Sequence, residues 1–175
     1  MVICVALGMM FGITRASGGM FFFENPLLGK SAPDFTLATL TSDKVNLTKY
    51  REGQPTILFF WATWCPHCRE QLVELKNGRL DEIEKKGIKM VFVDVGEDSK
   101  TVRHHMQRLG LQKFDVFIDE DSKVSEDYGL IGVPTFYFVD KNGVIQDVEH
   151  EVPDNFMELF KPMHDDEQPN AAPAK

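Results

Sequence analysis

Cysteine is scarce in this sequence, positive charge is in the minority, and no apolar run reaches the roughly 20 residues that span a bilayer. Three cysteines among 175 residues are too few to build a small scaffold held together by disulfides. The 19 Lys and Arg residues face 27 Asp and Glu residues, and the formal net charge of -8 argues against nucleic-acid binding because it repels phosphate backbones. The 43% of hydrophobic residues suffices for one domain with a sizeable core and excludes disorder, collagen and coiled coil.

The first 24 residues are predicted to direct the protein out of the cytoplasm. Val2–Ile13 form an uncharged, mostly apolar run whose length fits the core of a signal peptide. Small residues in Thr14-Arg15-Ala16 offer a cleavage position, although no Lys or Arg precedes the run. Residues 1–24 are therefore interpreted as a signal peptide or, together with Met20–Phe23, as a membrane anchor. The expected location is extracytoplasmic, in the periplasm or on the outer face of the membrane.

The last twelve residues contain no large apolar side chain with which to join a core. Residues 164–175 are accordingly predicted to be a disordered acidic tail. The folded domain is predicted to span residues 25–163.

Three runs in this domain are apolar with almost no alternation, namely 57–62, 90–93 and 136–139. Runs of this kind are typical of strands covered on both faces, so we expect them in the middle of a sheet. Pro66–Lys86 lies between the first two runs and has leucines near helical spacing before Gly87, which predicts one helix and hence a strand-helix-strand unit.

The remaining pattern predicts a mixed sheet with helices on both faces. An added N-terminal hairpin is expected, and Asn142-Gly143 is expected to supply the positive φ angles of a second hairpin. The predicted elements are strands 34–40, 44–47, 115–118 and 144–148 and helices 99–109, 123–128 and 154–160.

Cys65-Pro66-His67-Cys68 directly follows a predicted buried strand and opens the predicted helix. At the N-cap, free backbone N–H groups and the helix dipole stabilise a Cys65 thiolate, which lowers its pKa. Pro66 suits the first helical turn, and His67 adds partial positive charge or a hydrogen bond beside the sulfur. We therefore expect Cys65 to form a mixed disulfide and the more enclosed Cys68 to resolve it.

Two other interpretations of the cysteine pair are less favoured. Tetrahedral zinc needs a second pair of ligands, which the remaining histidines do not offer at finger-like spacing. A structural disulfide across so short a loop removes little chain entropy. Elsewhere, His104 and His105 are interpreted as a solvated helix face, and Asp94, Glu97 and Asp98 as a polar loop that caps the next helix.

The segments Phe60–Arg69, Ala32–Phe35, Gly132–Thr135 and Asp140–Gly143 together resemble the TlpA/ResA branch of thioredoxin-fold thiol-disulfide oxidoreductases, over about Gly29 to Val148. The resemblance implies an α/β thioredoxin fold with an N-terminal β-hairpin and a helix-strand insertion at about Gly96 to Ile118.

The same resemblance implies the other site residues. Pro134 would be a cis proline facing the cysteine pair, and the backbone of Val133 would pair with an extended substrate. Trp64 would shield one side of the disulfide, whereas Trp61 would pack in the core. No dissociable cofactor or metal is implied, because the two sulfurs carry the electrons.

Two departures from the family concern proton handling. ResA-like proteins commonly have a glutamate three residues after the second cysteine, where this chain has Gln71 after Glu70, and thioredoxins have a buried acid at the position of Phe59. The proton for Cys68 would then come from water, His67 or Glu70. The Pro66-His67 dipeptide is like that of the DsbA oxidases, so the direction of electron flow stays open.

The predicted function is thiol-disulfide exchange with cysteine pairs of protein substrates, with a membrane or soluble thiol as redox partner. A reductase of the TlpA/ResA kind, for example in cytochrome c biogenesis, is favoured over a DsbA-like oxidase. A peroxiredoxin-like peroxidase is the second alternative, since Ala32–Phe35 is shared with that class, but Cys65 has no proline in the expected upstream loop. A metal-binding module that uses both cysteines is the third.

Overall fold

The computed structural model describes residues 25–161. The predicted signal or anchor segment 1–24 and the predicted tail 164–175 lie outside the described residues. Within 25–161, no helix combines the length and the apolar character that a bilayer crossing requires.

Seven strands and five α-helices make up the domain. The strands are β1 (Thr36–Thr39), β2 (Val45–Asn46), β3 (Thr56–Trp61), β4 (Lys89–Val95), β5 (Val116–Asp119), β6 (Thr135–Val139) and β7 (Ile145–Glu149). The helices are α1 (Leu47–Arg51), α2 (Pro66–Glu74), α3 (Leu80–Lys85), α4 (Ser99–Leu109) and α5 (Lys123–Asp127), with a kinked segment (Leu75–Arg79) between α2 and α3 and a 3₁₀ turn (Phe156–Phe160).

The strands form one mixed sheet in the order β2-β1-β5-β4-β3-β6-β7. The pairs β3–β4 and β4–β5 are parallel, and the other pairs are antiparallel. Every residue of β3 is buried, which explains its unbroken apolar sequence. The predicted mixed α/β sheet of the thioredoxin fold is therefore confirmed.

Alternate residues of β3 enter two different cores, one on each face of the sheet. Phe59 and Trp61 join the core that contains both cysteines of the Cys-x-x-Cys motif, while Leu58 and Phe60 join the opposite one. Phe59 stacks on Phe136 with ring centroids 4.2 Å apart. The first of these faces carries the helices that build the site described below.

The single helix predicted over Pro66–Lys86 is wrong, because the chain kinks out of helical geometry at Asn77 and Gly78. Gly78 has φ of 120°, a conformation that a residue with a side chain rarely adopts. Leu75 before the kink and Leu80 after it are both buried, so the apolar face continues across the break.

The N-terminal hairpin is shorter than predicted. Its second strand has only two residues before α1 begins, because the Asn46 side chain accepts a hydrogen bond from the Lys49 N–H at 3.1 Å and caps that helix. The apolar Leu47, predicted to end the strand, is instead the first residue of α1 and is buried.

Two smaller predictions at the C-terminal side also need correction. In the turn before β7 only Gly143 has a positive φ, since Asp140 holds the N–H groups of Asn142 and Val144 and shapes a different turn from the one predicted. The closing helix is a short 3₁₀ turn that buries Phe156.

Candidate active site

The Cys-x-x-Cys motif begins α2 at the end of the buried strand β3. Cys65 is the N-cap residue, with extended backbone angles, and Pro66 occupies the first helical turn. The N–H of Cys68 donates a hydrogen bond to Sγ of Cys65 at 3.1 Å. Such a donor, together with the helix dipole, stabilises negative charge on the sulfur when the pair is reduced.

The two cysteines form a disulfide with their Cα atoms 5.2 Å apart. The Cys65 residue is 4% exposed and Cys68 is fully buried at 0%. Cys65 also lines a cleft that opens to solvent, so an attacking or attacked sulfur reaches Cys65 and not Cys68.

The loop before β6 lies against the disulfide. The Val133–Pro134 peptide bond is cis, and the carbonyl oxygen of Val133 lies 3.6 Å from Sγ of Cys65. The carbonyl of Pro134 accepts a hydrogen bond from Nδ1 of His150 at 2.8 Å. His150 carried no sequence pattern, because the contact depends on the pairing of β6 with β7.

Two large apolar side chains are exposed beside the site. Trp64 is 70% exposed and Ile131 is 94% exposed. The position of Trp64 next to the motif had suggested a role, whereas Ile131 carried no signal in the sequence. Trp61, by contrast, is fully buried in the core beneath the site.

The residues proposed for proton handling on α2 lie at the surface. His67 and Glu70 are exposed, with Nδ1 of His67 3.2 Å from a Glu70 oxygen. Gln71 lines a shallow cleft of about 360 Å³ together with Val133 and Pro134. The Glu70 carboxylate is thus turned toward His67 and solvent, away from the buried Cys68.

The cleft that Cys65 lines has a volume of about 430 Å³. It is bordered by Thr63, Trp64, Arg69, His105 and Arg108. His105 had been predicted on a solvated face with His104. It is instead half-buried, with its ring 5.9 Å from that of Trp61, and burial lowers its pKa.

The polar loop predicted after β4 is partly wrong. Asp98 does cap α4 by accepting the N–H groups of Lys100 and Thr101. Asp94, however, is fully buried at 0% exposure, and Glu97 accepts hydrogen bonds from the N–H and hydroxyl of Thr63 at 2.6 and 2.7 Å. Burial, reinforced by the neighbouring Glu97 carboxyl, raises the pKa of Asp94 to about 9.

Comparison with known proteins identifies the family. The model of the AhpC/TSA family matches residues 28–148. The chain belongs to the AhpC/TSA family. Within residues 25–161 no group of three or more His, Cys, Asp or Glu side chains is placed to hold a metal ion.

Relatives in this family narrow the assignment. The chain is 30% identical to the thiol-disulfide oxidoreductase ResA of Bacillus cereus, with 86% of each chain covered. It is 35% identical to that of Geobacillus thermodenitrificans, with 73% of each covered. A Chlorobium tepidum structure described as thiol:disulfide interchange protein DsbE has 27% identity and a TM-score of 0.65, over 75% of this chain and 92% of that one. The predicted TlpA/ResA resemblance is confirmed, and this AhpC/TSA member is a thiol-disulfide oxidoreductase.

The unequal burial of the two cysteines predicts unequal reactivity. In the reduced protein, iodoacetamide should alkylate Cys65 well before Cys68, and Cys65 should titrate below the ordinary thiol pKa of about 8.5. Peptide mapping by mass spectrometry over a pH series measures both quantities. Equal labelling of the two residues would contradict the expectation.

Proposed function

We propose that the protein reduces disulfides in protein substrates, with Cys65 as nucleophile and Cys68 as resolving cysteine. The Cys65 thiolate attacks one substrate sulfur, the substrate disulfide breaks, and the released sulfur takes a proton. Cys68 then attacks Sγ of Cys65, which frees the second substrate thiol and leaves the enzyme oxidised. A thiol donor returns two electrons to the pair. The observation that carries this proposal is a sulfur at the start of α2, open to a cleft, with a fully buried partner one turn behind.

Pro66 and His67 tune the thiolate in this scheme. Pro66 lacks an N–H and leaves the first turn to the donors that face Cys65. His67 is exposed on the first turn of α2, two residues after Cys65, and its protonated form favours the thiolate by charge.

The substrate is an extended segment that contains the target cysteine. The carbonyl of Val133 lies 3.6 Å from Sγ of Cys65 and precedes the cis bond to Pro134, and an extended chain can pair with such a backbone segment. Trp64, next to Cys65 in the chain, and Ile131, two residues before Val133, offer exposed apolar surface. His150 holds the carbonyl of Pro134 and so keeps this loop in place.

Replacing either cysteine tests the cycle. Cys65→Ser should abolish turnover of a protein disulfide, while Cys68→Ser should still attack and then accumulate a mixed disulfide through Cys65. Non-reducing mass spectrometry with a model substrate protein measures the trapped species. The third cysteine, Cys4, lies in the predicted signal or anchor segment; Cys4→Ser is the matched control and should keep wild-type turnover. Wild-type turnover by Cys65→Ser would sink the assignment of the nucleophile.

The proposed direction of the reaction, reduction of substrate disulfides, is supported by the ResA relatives and by the sequence around the Cys-x-x-Cys motif. The reduction potential of the Cys65–Cys68 pair separates it from a DsbA-like oxidase, because thioredoxin lies at about -270 mV and DsbA at about -120 mV. We expect a value between these, nearer to thioredoxin. Equilibration with glutathione buffers measures the potential, and a value near that of DsbA would reverse the proposed direction.

We infer an extracytoplasmic site of action, with residues 1–24 as signal peptide or anchor, 25–163 as the catalytic domain and 164–175 as an acidic tail. The support is the uncharged, mostly apolar run at Val2–Ile13, whose length fits the core of a signal peptide. Residues 1–24 fused to alkaline phosphatase should give an active, exported reporter, and deletion of 2–13 should abolish export. An inactive full fusion would contradict the inference.

A further inference from the structure

A pair of acidic side chains lies beneath the loop that leads into Cys65. Asp94 is near the end of β4 and is paired in register with Trp61 of β3. Paired residues of parallel strands share a face of the sheet, so the Asp94 side chain lies on the Trp61 side, in the layer that also holds both cysteines. Glu97 follows three residues later, on the loop before α4.

Asp94 and Glu97 can hydrogen-bond to each other only if one of the two carboxyl groups carries a proton. Both oxygens of Glu97 are occupied by Thr63, and as a carboxylate Asp94 would be buried with neither oxygen satisfied. Two carboxylates cannot hydrogen-bond each other, because both only accept. With a proton on Asp94, its O–H has the neighbouring Glu97 carboxyl as an acceptor, and the pair carries one charge in place of two, with the fully buried Asp94 neutral.

This charge is tied to the active site through Thr63, two residues before Cys65. Glu97 fixes both the N–H and the hydroxyl of Thr63 and therefore anchors the turn from β3 to the N-cap of α2. Thr63 and Cys65 also border the same cleft. Any change in the charge of the pair acts on the sulfur both through this anchor and directly through space.

We propose that Asp94 and Glu97 share one proton, that they position the Cys65 loop, and that their second ionisation is coupled to the redox state of Cys65. The inference rests on the proposed role of Cys65 as the thiolate. Reduction by a dithiol supplies two electrons and two protons: one proton goes to Cys68, and the other goes to the pair when the pair is doubly ionised, and otherwise to water. The thiolate repels the second negative charge, so the pair holds its proton more tightly in the reduced enzyme.

The other charged groups around Asp94 leave this assignment intact. Asp119 of β5 acts on Asp94 by charge, but its oxygens are engaged by the N–H groups of Val124 and Ser125. Asp98 is exposed and caps α4. On α4, His105 faces Glu97, with Arg69 of α2 and Arg108 farther out. Trp61 of β3 brings an uncharged N–H without a partner among the described residues.

The direct test follows the Asp94 carboxyl by carbon-13 NMR in the oxidised and the dithiothreitol-reduced protein, with Asp94→Asn to assign the signal. We expect a midpoint near 9 in the oxidised form and a higher one in the reduced form. Glu97→Gln removes the opposing charge and should lower the midpoint. A midpoint near 4, the same midpoint in both redox forms, or no response to Glu97→Gln would overturn the proposal.

The functional test measures the equilibrium with dithiothreitol as a function of pH. Between the two midpoints, wild-type enzyme keeps the second proton of the dithiol on the pair, whereas Asp94→Asn releases it to water. For each pH unit, the ratio of reduced to oxidised enzyme should therefore decrease by up to tenfold in the wild type relative to Asp94→Asn. Asp98→Asn removes a nearby exposed charge while Asn still caps α4, so it should keep the difference in pH dependence from Asp94→Asn, with the midpoint of Asp94 displaced downward because the Asp98 charge contributes to its raised pKa. Identical profiles for wild type and Asp94→Asn would refute the coupling.

Two further readouts separate this inference from folding defects and from the proposed function. Asp94 holds a proton that the unfolded chain releases above pH 4, so wild-type stability falls as pH rises toward 9. Asp94→Asn removes that loss and should melt no lower than wild type at pH 8, and a lower melting temperature counts against the proposal. Asp94→Asn should still form a mixed disulfide through Cys65, which Cys65→Ser cannot form, so the failure of one inference is distinguished from the failure of the other.

Discussion

The chemistry of this protein depends on one backbone arrangement, the change from a fully buried strand to a helix start at Cys65. β3 is covered on both faces and cannot shift without opening two cores. Its rigid end fixes where α2 begins, and α2 in turn aims the N–H of Cys68 at Sγ of Cys65. A sulfur placed in this way is stabilised mainly by the field of the helix, to which the exposed His67 adds a weaker, solvent-screened contribution.

The Cys65 sulfur lies between an exposed surface with charged side chains and a buried layer of the core. On one side lie the exposed His67 and Glu70 of α2, whose charges are screened by water and act weakly. On the other side lies the buried layer with Asp94, where a charge is costly and acts strongly. Solvent conditions therefore modulate the first side, whereas the protonation of a single carboxyl governs the second.

Local sequence predicted the strands, the cysteine helix and the neighbours of Cys65, because each depends on residues adjacent in the chain. The kink at Gly78 could not be predicted from leucine spacing, since the leucines on both sides of it stay buried. The half-burial of His105 and the full burial of Asp94 depend on how β3, β4 and α4 pack together. A polar run after a strand carries the same sequence signal whether its first member points to solvent or into the core.

The position of the acid explains how the site tolerates Phe59. Phe59 stacks on Phe136, and an acid there would break this stack and be buried without a partner. Asp94 lies on the neighbouring strand on the same face, two residues beyond the partner of Phe59 toward the carboxyl ends, where Glu97 can accept a hydrogen bond from its protonated carboxyl. Because the acid lies on β4 and not at the position of Phe59 on β3, the layer beneath Cys68 stays apolar, and a titratable group still lies beside the loop that carries Cys65. Because the pair reaches the sulfur through Thr63 and not through α2, its charge can change without displacing the helix that stabilises the thiolate.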